Sequence, residues 1–444
     1  MTTTAPTLDA LPDPGVPPGL TDLLQFPLVA AVTGRRSRRF ALGDSIPDGP
    51  LAFTSRHEPM PLSELERLVV LTAAGGNTGW HSMITRSARY APHMSNYSMA
   101  AGGRTFPSAA GFHTTELFFT DDSGTYLFPT RDAPALVERD GDGVVDVDTW
   151  VAAHRSLIRR LGDERLHLSR QEPYMEGHNS WSANVPGSLL VIPVADVAAH
   201  VIAALCYWAQ NGACVYDDVH GERIPGIEAF RDLVDVANPY PLSFGEQSCL
   251  SEVAVELGSS CFAGALALQG MGLGGWMFDG LNPFAVLGAS GDPDVPGLGF
   301  SFVADERWPL PHVTGLPRVF EGHTTPHHAD MASAVESVVA RKFGARGPFH
   351  GATPGPWKDS ATVRSSAQVH SPEFKACVAL QAQYVLDRFG RFPATVPAIG
   401  VVTYLQAHHL DLEYYDHHFS PGAYLRSHTR HMDRWHPTAD GSGR

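Results

Sequence analysis

The chain has 444 residues, 43% of them hydrophobic, and a formal net charge of −15. That supplies apolar material for one large domain or two ordinary ones, and it speaks against nucleic acid as a general partner, which calls for broad positive surface. Five cysteines without a CxxC pair read as reduced core thiols in a cytoplasmic protein.

Residues 1–19, "MTTTAPTLDALPDPGVPPG", lack a basic stretch followed by an apolar one and read as a disordered lead-in, not a secretion signal. From Leu20 a run with helical apolar spacing delivers the chain into "GRRSRRF", residues 34–40, with four arginines and a serine. Such a local cluster in an acidic chain suits a small anion better than a polymer. In "PLSELERLVVLTAAGG", Ser63 is an N-cap, Glu66 completes a capping box, and Gly75 and Gly76 supply the stop. "GRTFPSAAGFHTTELFF" places Arg104, Pro107 and Ser108 before Ala109, Ala110 and Gly111, small residues that leave room for a planar ligand. A hairpin is expected over Glu116–Phe128, around Asp-Asp-Ser-Gly.

"ERDGDGVVDVDT" has part of a calcium-loop spacing, but Thr149 stands where a bidentate glutamate belongs, so an acidic turn before a helix is the better reading. "RQEPYMEGHNSWSANVPG" is either a pocket wall or an ordered surface loop. The most apolar stretch, Ser188–Ala209, is interrupted by Pro193, Asp196 and His200, which suits a strand and a buried helix, not a membrane span. A helix is expected over Glu252–Met271, closed by the glycines of "QGMGLGGWMFDG". A dinucleotide fingerprint needs the glycines to open a helix, so this order excludes one. "PGLGFSFVA" reads as a strand, and residues 331–343 as an amphipathic helix ending at Gly344. Ser371 and Pro372 start a further helix that Gly390 ends. Seven of the 22 histidines follow residue 400, interleaved with aromatic residues: His408, His409, His417, His418, His428, His431 and His436. Helices and hairpins mix without βαβ alternation, so the fold class is α+β.

Taken in order, the arginine–serine cluster, "PSAAG" before a strand and a helix ending "GLGGWMFDG" resemble the nitroreductase-like flavoproteins. Within them they are similar to the branch that oxidises peptides and natural products. The resemblance spans roughly Leu20 to Gly344. It implies a mainly antiparallel sheet flanked by helices, bound FMN, a homodimer, and two-electron redox on a small organic or peptide-derived substrate. Carried over, Arg35, Ser37 and Arg39 take the FMN phosphate with Arg36 nearby. Ser108 and Ala109, in one motif with Arg104 and Pro107, follow the isoalloxazine edge. The backbone at Asp279 and Gly280 faces N5 and O4. Residues 345–444 lie outside the resemblance and read as a helical extension that packs over the body or the dimer partner and closes the flavin pocket, with no catalytic metal. A flavin-free binding or scaffold protein, and a metal-dependent enzyme using the C-terminal histidines, are the other readings.

Overall fold

Caps and breakers set most element boundaries. The computed structural model describes residues 17–80, 102–133, 146–345, 347, 349–352, 357–365 and 370–437. The lead-in expected over residues 1–19 therefore lies almost wholly outside the described residues. Two short helices, α1 (Pro18–Leu24) and α2 (Leu28–Gly34), are separated at Pro27, which has no N–H for a continuous helix. α3 (Glu64–Gly75) opens on the expected capping box: Ser63 N donates to Glu66 Oε2 at 2.7 Å, and Glu66 N to Ser63 Oγ at 3.3 Å. The hairpin is β1 (Thr115–Asp121) and β2 (Gly124–Phe128). Of the acidic turn, Glu138, Asp140, Asp142 and Gly143 lie outside the described residues; Asp146 caps α4 (Val147–Arg155) by accepting from Thr149 N.

The chain continues through β3 (Arg159–Gly162) and β4 (Leu189–Asp196) into α5 (Val197–Gln210), the strand and buried helix read from the sequence. Then come α6 (Leu242–Met271), β5 (Gly274–Phe278), α7 (Met331–Phe343) and α8 (Pro372–Phe389). The last elements used below are β6 (Ile399–Gly400), β7 (Tyr404–His408), α9 (Leu412–His418) and α10 (His431–Trp435).

The central seven-stranded sheet is antiparallel throughout, in the order β5–β7–β4–β1–β2–β3, with β6 also paired to β4. On one side β4 pairs with β7 at Leu189–Val191 and with β6 at Ala195–Asp196. Pro193, which has no ladder donor, falls in the gap between them. Strand alternation divides the core. Leu117, Phe119, Leu189, Val191 and Leu405 face α3 and the C-terminal half of α6, whereas Phe118, Leu190, Ile192 and Tyr404 face Phe300, Val313 and Phe320. A third cluster gathers α5, α7, α8 and the N-terminal half of α6. The fold is α+β.

Two expectations need correction. α6 begins at Leu242, ten residues before the expected start; Gly245 obscures it in the sequence, yet glycine is required because a Cβ would lie 2.5 Å from the Trp208 ring. The segment read as a helical extension also supplies β7, an interior strand between β5 and β4. Five buried residues are too few for a period to show in the sequence.

α6 is long and apolar enough to cross a membrane by length and composition alone. Its buried carboxylates are held by the protein: Glu246 accepts from Ala394 N, and Glu256 from Thr114 N. That is the behaviour of a core helix. All five cysteines are free and buried, and burial pushes Cys206 and Cys377 up to about 12.

Candidate functional site

The basic segment and the glycine run, far apart in sequence, are neighbours in space. Arg38 N donates to Gly275 O at 3.2 Å, and Gly275 N to Arg38 O at 2.8 Å. Arg38 thus bridges β5 in antiparallel sense, and residues 40–42 pair with the chain after β7, Leu42 N donating to His409 O and Asp411 N to Phe40 O. The glycines permit this crowding. A Cβ at Gly274 would meet His408 Nε2 at 2.6 Å, and one at Gly275 or Gly272 would run into the backbone of Gln406 or Ser427. The glycine run is therefore packed closely against protein, at Gly272 and Gly275 against backbone.

The arginines divide by burial. Arg38 is buried and donates to Gln269 Oε1 at 2.8 Å, Ala423 O at 2.9 Å and Gly34 O at 3.2 Å. Burial pulls its guanidinium down to about 10. Arg39 is half-buried between Trp181 and Trp276, 5.1 and 4.9 Å from their ring centroids. Its Nη2 reaches His178 O, Asn179 Oδ1 and Ser182 Oγ, while its Nε has no hydrogen-bond partner among the described residues. Arg35, Arg36 and Ser37 are exposed, where the chain leaves α2 in extended conformation. Among the described residues none of these four guanidiniums has a carboxylate within ion-pair distance; every acceptor they touch is neutral.

Asp279 and Gly280 follow β5. Asp279 is exposed, and its carbonyl accepts from Asn179 Nδ2 at 3.2 Å. Gly280 has φ 74°, and its carbonyl accepts from Glu176 N at 2.9 Å. The loop around residues 174–182 therefore wraps Arg39 and the end of β5 together; its aromatic and amide content was the signal in the sequence.

The middle motif lies elsewhere. Arg104 Nε donates to Thr130 O at 2.8 Å, and Pro107 is exposed. Ser108 Oγ donates to Glu256 Oε2 at 2.5 Å and accepts from His113 N at 2.9 Å, so its hydroxyl is taken up inside the protein. Glu256 also accepts from Thr115 Oγ1 and Thr114 N. Ala109 borders a cavity of about 370 Å³ lined with Phe112, Tyr207, Trp208, Cys249 and Glu252, a size that suits a small organic ligand. Behind its wall the lining residue Glu252 has Oε2 2.7 Å from Nε2 of the buried His200. Neither residue of this pair stands out in the sequence, where Glu252 reads as the start of a helix and His200 as an interruption of an apolar strand–helix run.

Within one chain the two halves do not meet. Ser108 is tied to Glu256 and Arg38 to Gln269, thirteen residues further along α6, which is about 20 Å along a helix axis.

Most C-terminal histidines and acids have local partners. Asp411 caps α9 and accepts from Ser55 Oγ, and Asp416 accepts from Tyr424 Oη. His417 and His418 pack on Phe53, and His428 Nδ1 accepts from Leu425 N. His408 is buried beside Trp276, and burial pushes it down to about 3. His409 and His431 gather with His436 around Glu66.

No family model matches the chain, and no curated protein matches it. Among solved structures, one described as a "putative nitroreductase" from Ralstonia eutropha JMP134 matches over 62% of this chain and 75% of that one, at 15% identity and a TM-score of 0.25. A likeness that slight assigns this chain neither a fold family nor an activity.

Proposed function

We propose that the protein is an FMN-dependent oxidoreductase acting on a small organic or peptide-derived substrate, with the flavin bound where two copies of the chain meet. The observation that carries this reading is the group of four guanidiniums with only neutral hydrogen-bond partners among the described residues, in a chain of net charge −15. Positive charge without an ion-paired carboxylate at a partly buried, tryptophan-lined position attracts an anion, and guanidinium forks match phosphate oxygens. Arg35, Arg36 and Ser37 are free to approach the phosphate; side chains at 35, 37 and 39 fall on one side of an extended segment.

The second copy follows from the distance along α6. The helix exposes Phe244, Val255 and Phe262, and the adjoining α1–α2 segment exposes Leu24, Leu28, Val29 and Val32. Together they form an apolar band of the kind that an isologous interface covers. A two-fold axis that sets two α6 helices side by side in opposite directions brings Arg35–Ser37 of one copy towards the Ala109 cavity of the other.

Bound there, FMN supplies two-electron exchange with the substrate. The chain's own residues do the rest. The arginine–serine segment holds the anionic end, Phe112 and Trp208 exclude water from the cavity, and Glu252, hydrogen-bonded to His200 behind it, offers a proton-transfer group at its wall. The test is spectral. After incubation with FMN and gel filtration, the protein is expected to show oxidised-flavin bands that bleach on anaerobic titration with dithionite. A protein that stays colourless in excess FMN overturns the reading and leaves a flavin-free binding protein.

A further inference from the structure

Independently of any flavin, four side chains from distant parts of the chain converge on one point. Glu66 from the first turn of α3, His409 just after β7, His431 from α10 and His436 just beyond it each offer one ligand atom, all within 4.8 Å of one another. His431 Nε2 and His436 Nε2 are each 3.0 Å from Glu66 Oε1, and His409 Nε2 is 3.4 Å from it. Four ligands bonded to one ion at roughly 2.0–2.1 Å in a tetrahedron stand about 3.3–3.4 Å apart.

The surroundings fix which atoms face inward. His409 Nδ1 lies 2.9 Å from Met60 O, and His431 Nδ1 2.8 Å from Met271 O. A carbonyl only accepts, so each Nδ1 carries the hydrogen and each neutral ring turns a bare Nε2 towards the carboxylate. Histidine ligands are commonly held by such an outer hydrogen bond. Glu66 is aimed in the same way: its Oε2 accepts from Ser63 N, which leaves Oε1 for the centre. His431 Nε2, in a ring 4% exposed, makes no hydrogen bond of acceptable geometry among the described residues. Two lone pairs and a carboxylate oxygen pressed together in a buried place need positive charge between them. A hydrogen on one ring nitrogen satisfies one contact to the carboxylate and leaves the neighbouring lone pair facing it, the ring centroids of His409 and His431 being 5.1 Å apart. One divalent ion satisfies all four groups.

We infer that Glu66, His409, His431 and His436 form a binding site for one divalent transition-metal ion, zinc foremost. Imidazole and carboxylate favour zinc and its first-row neighbours over calcium or magnesium. Four protein ligands leave no open position, which marks a structural site and not a catalytic one. The ion clips the C-terminal segment to α3 and to the end of α6, next to the glycine run.

The experiment uses full-length protein without a histidine tag, loaded with zinc, desalted and analysed for metal. About one zinc per chain is expected. A chelator should lower the melting temperature, and cobalt in place of zinc should give the intense visible bands of a tetrahedral site. Glu66→Gln and His431→Ala should each reduce bound metal at least tenfold and abolish the chelator effect, whereas His417→Ala, at an exposed histidine outside the cluster, should retain both. Because Glu66 also caps α3, its variant could fail to fold; His436→Ala, at the partly exposed edge, then gives the same readout in a folded protein. Wild-type protein that takes up neither zinc nor cobalt stoichiometrically, or ligand variants that keep their metal, overturn the assignment.

Discussion

Arg38 donates to Gln269 at 2.8 Å across 231 residues of sequence, and both side chains are buried. The contact fastens the basic segment to the C-terminal end of α6 and so decides where the exposed arginines stand. Arg38→Met should therefore act on stability. It removes bonds to three oxygens and leaves Gln269 Oε1 without its donor, so a loss of roughly 2–4 kcal/mol is expected in urea unfolding. An unchanged midpoint would show that Arg38 does not anchor the segment.

Arg35 and Arg36 should behave in the opposite way. Both are exposed, and exposed arginines seldom contribute more than about 1 kcal/mol to folding. The double change Arg35→Ala with Arg36→Ala should leave the melting temperature nearly unchanged and weaken FMN at least roughly tenfold, with little effect on riboflavin, which lacks the phosphate. Equal losses for both ligands would remove the phosphate from this segment.

Ser108 is the structural member of the middle motif. Ser108→Ala deletes one of the donors on the buried carboxylate of Glu256, which keeps Thr114 N and Thr115 Oγ1. A destabilisation of about 1–3 kcal/mol follows. The flavin-edge role implied by the family resemblance instead predicts normal stability with altered flavin binding, so calorimetry and an FMN titration on this one variant separate the two.

His312 gives the protein a built-in sensitivity to acid. Burial, with the Arg391 guanidinium nearby, pushes it down to about 4. The unfolded chain takes up this proton near pH 6.5 and the folded chain only near 4. Stability should thus be intact above the unfolded value and fall as pH drops from about 6.5 to 4, by up to about 3 kcal/mol. His312→Leu should flatten that part of the stability–pH curve; an unchanged slope would assign the acid sensitivity to other groups.

Much of the fold was legible because caps act locally. Ser63 with Glu66, Ser371 with Pro372, and Gly272, Gly344 and Gly390 set helix ends through bonds within a few residues, and they stand where the sequence puts them. What stayed hidden depends on remote contact. β7 is a strand because it lies between β5 and β4, and Gly245 suits a helix only because Trp208 crowds it. The site shows the same division. "GRRSRRF" marks concentrated charge, but only the structure separates the inward Arg38 and Arg39 from the exposed Arg35 and Arg36. Glu66 was recognised as a cap, and nothing in its neighbourhood signals that its other oxygen faces three histidines more than 340 residues away.

The most direct measurement is sedimentation velocity of the protein mixed with FMN from substoichiometric to excess amounts, recorded both at the visible flavin band and in the protein ultraviolet. The account predicts that the flavin signal moves entirely with a species of two chains, that it saturates at one FMN per chain, and that Val255→Lys with Phe262→Lys shifts the protein to one chain and releases the flavin. Flavin that stays at the sedimentation rate of free FMN in excess wild-type protein would contradict the central claim.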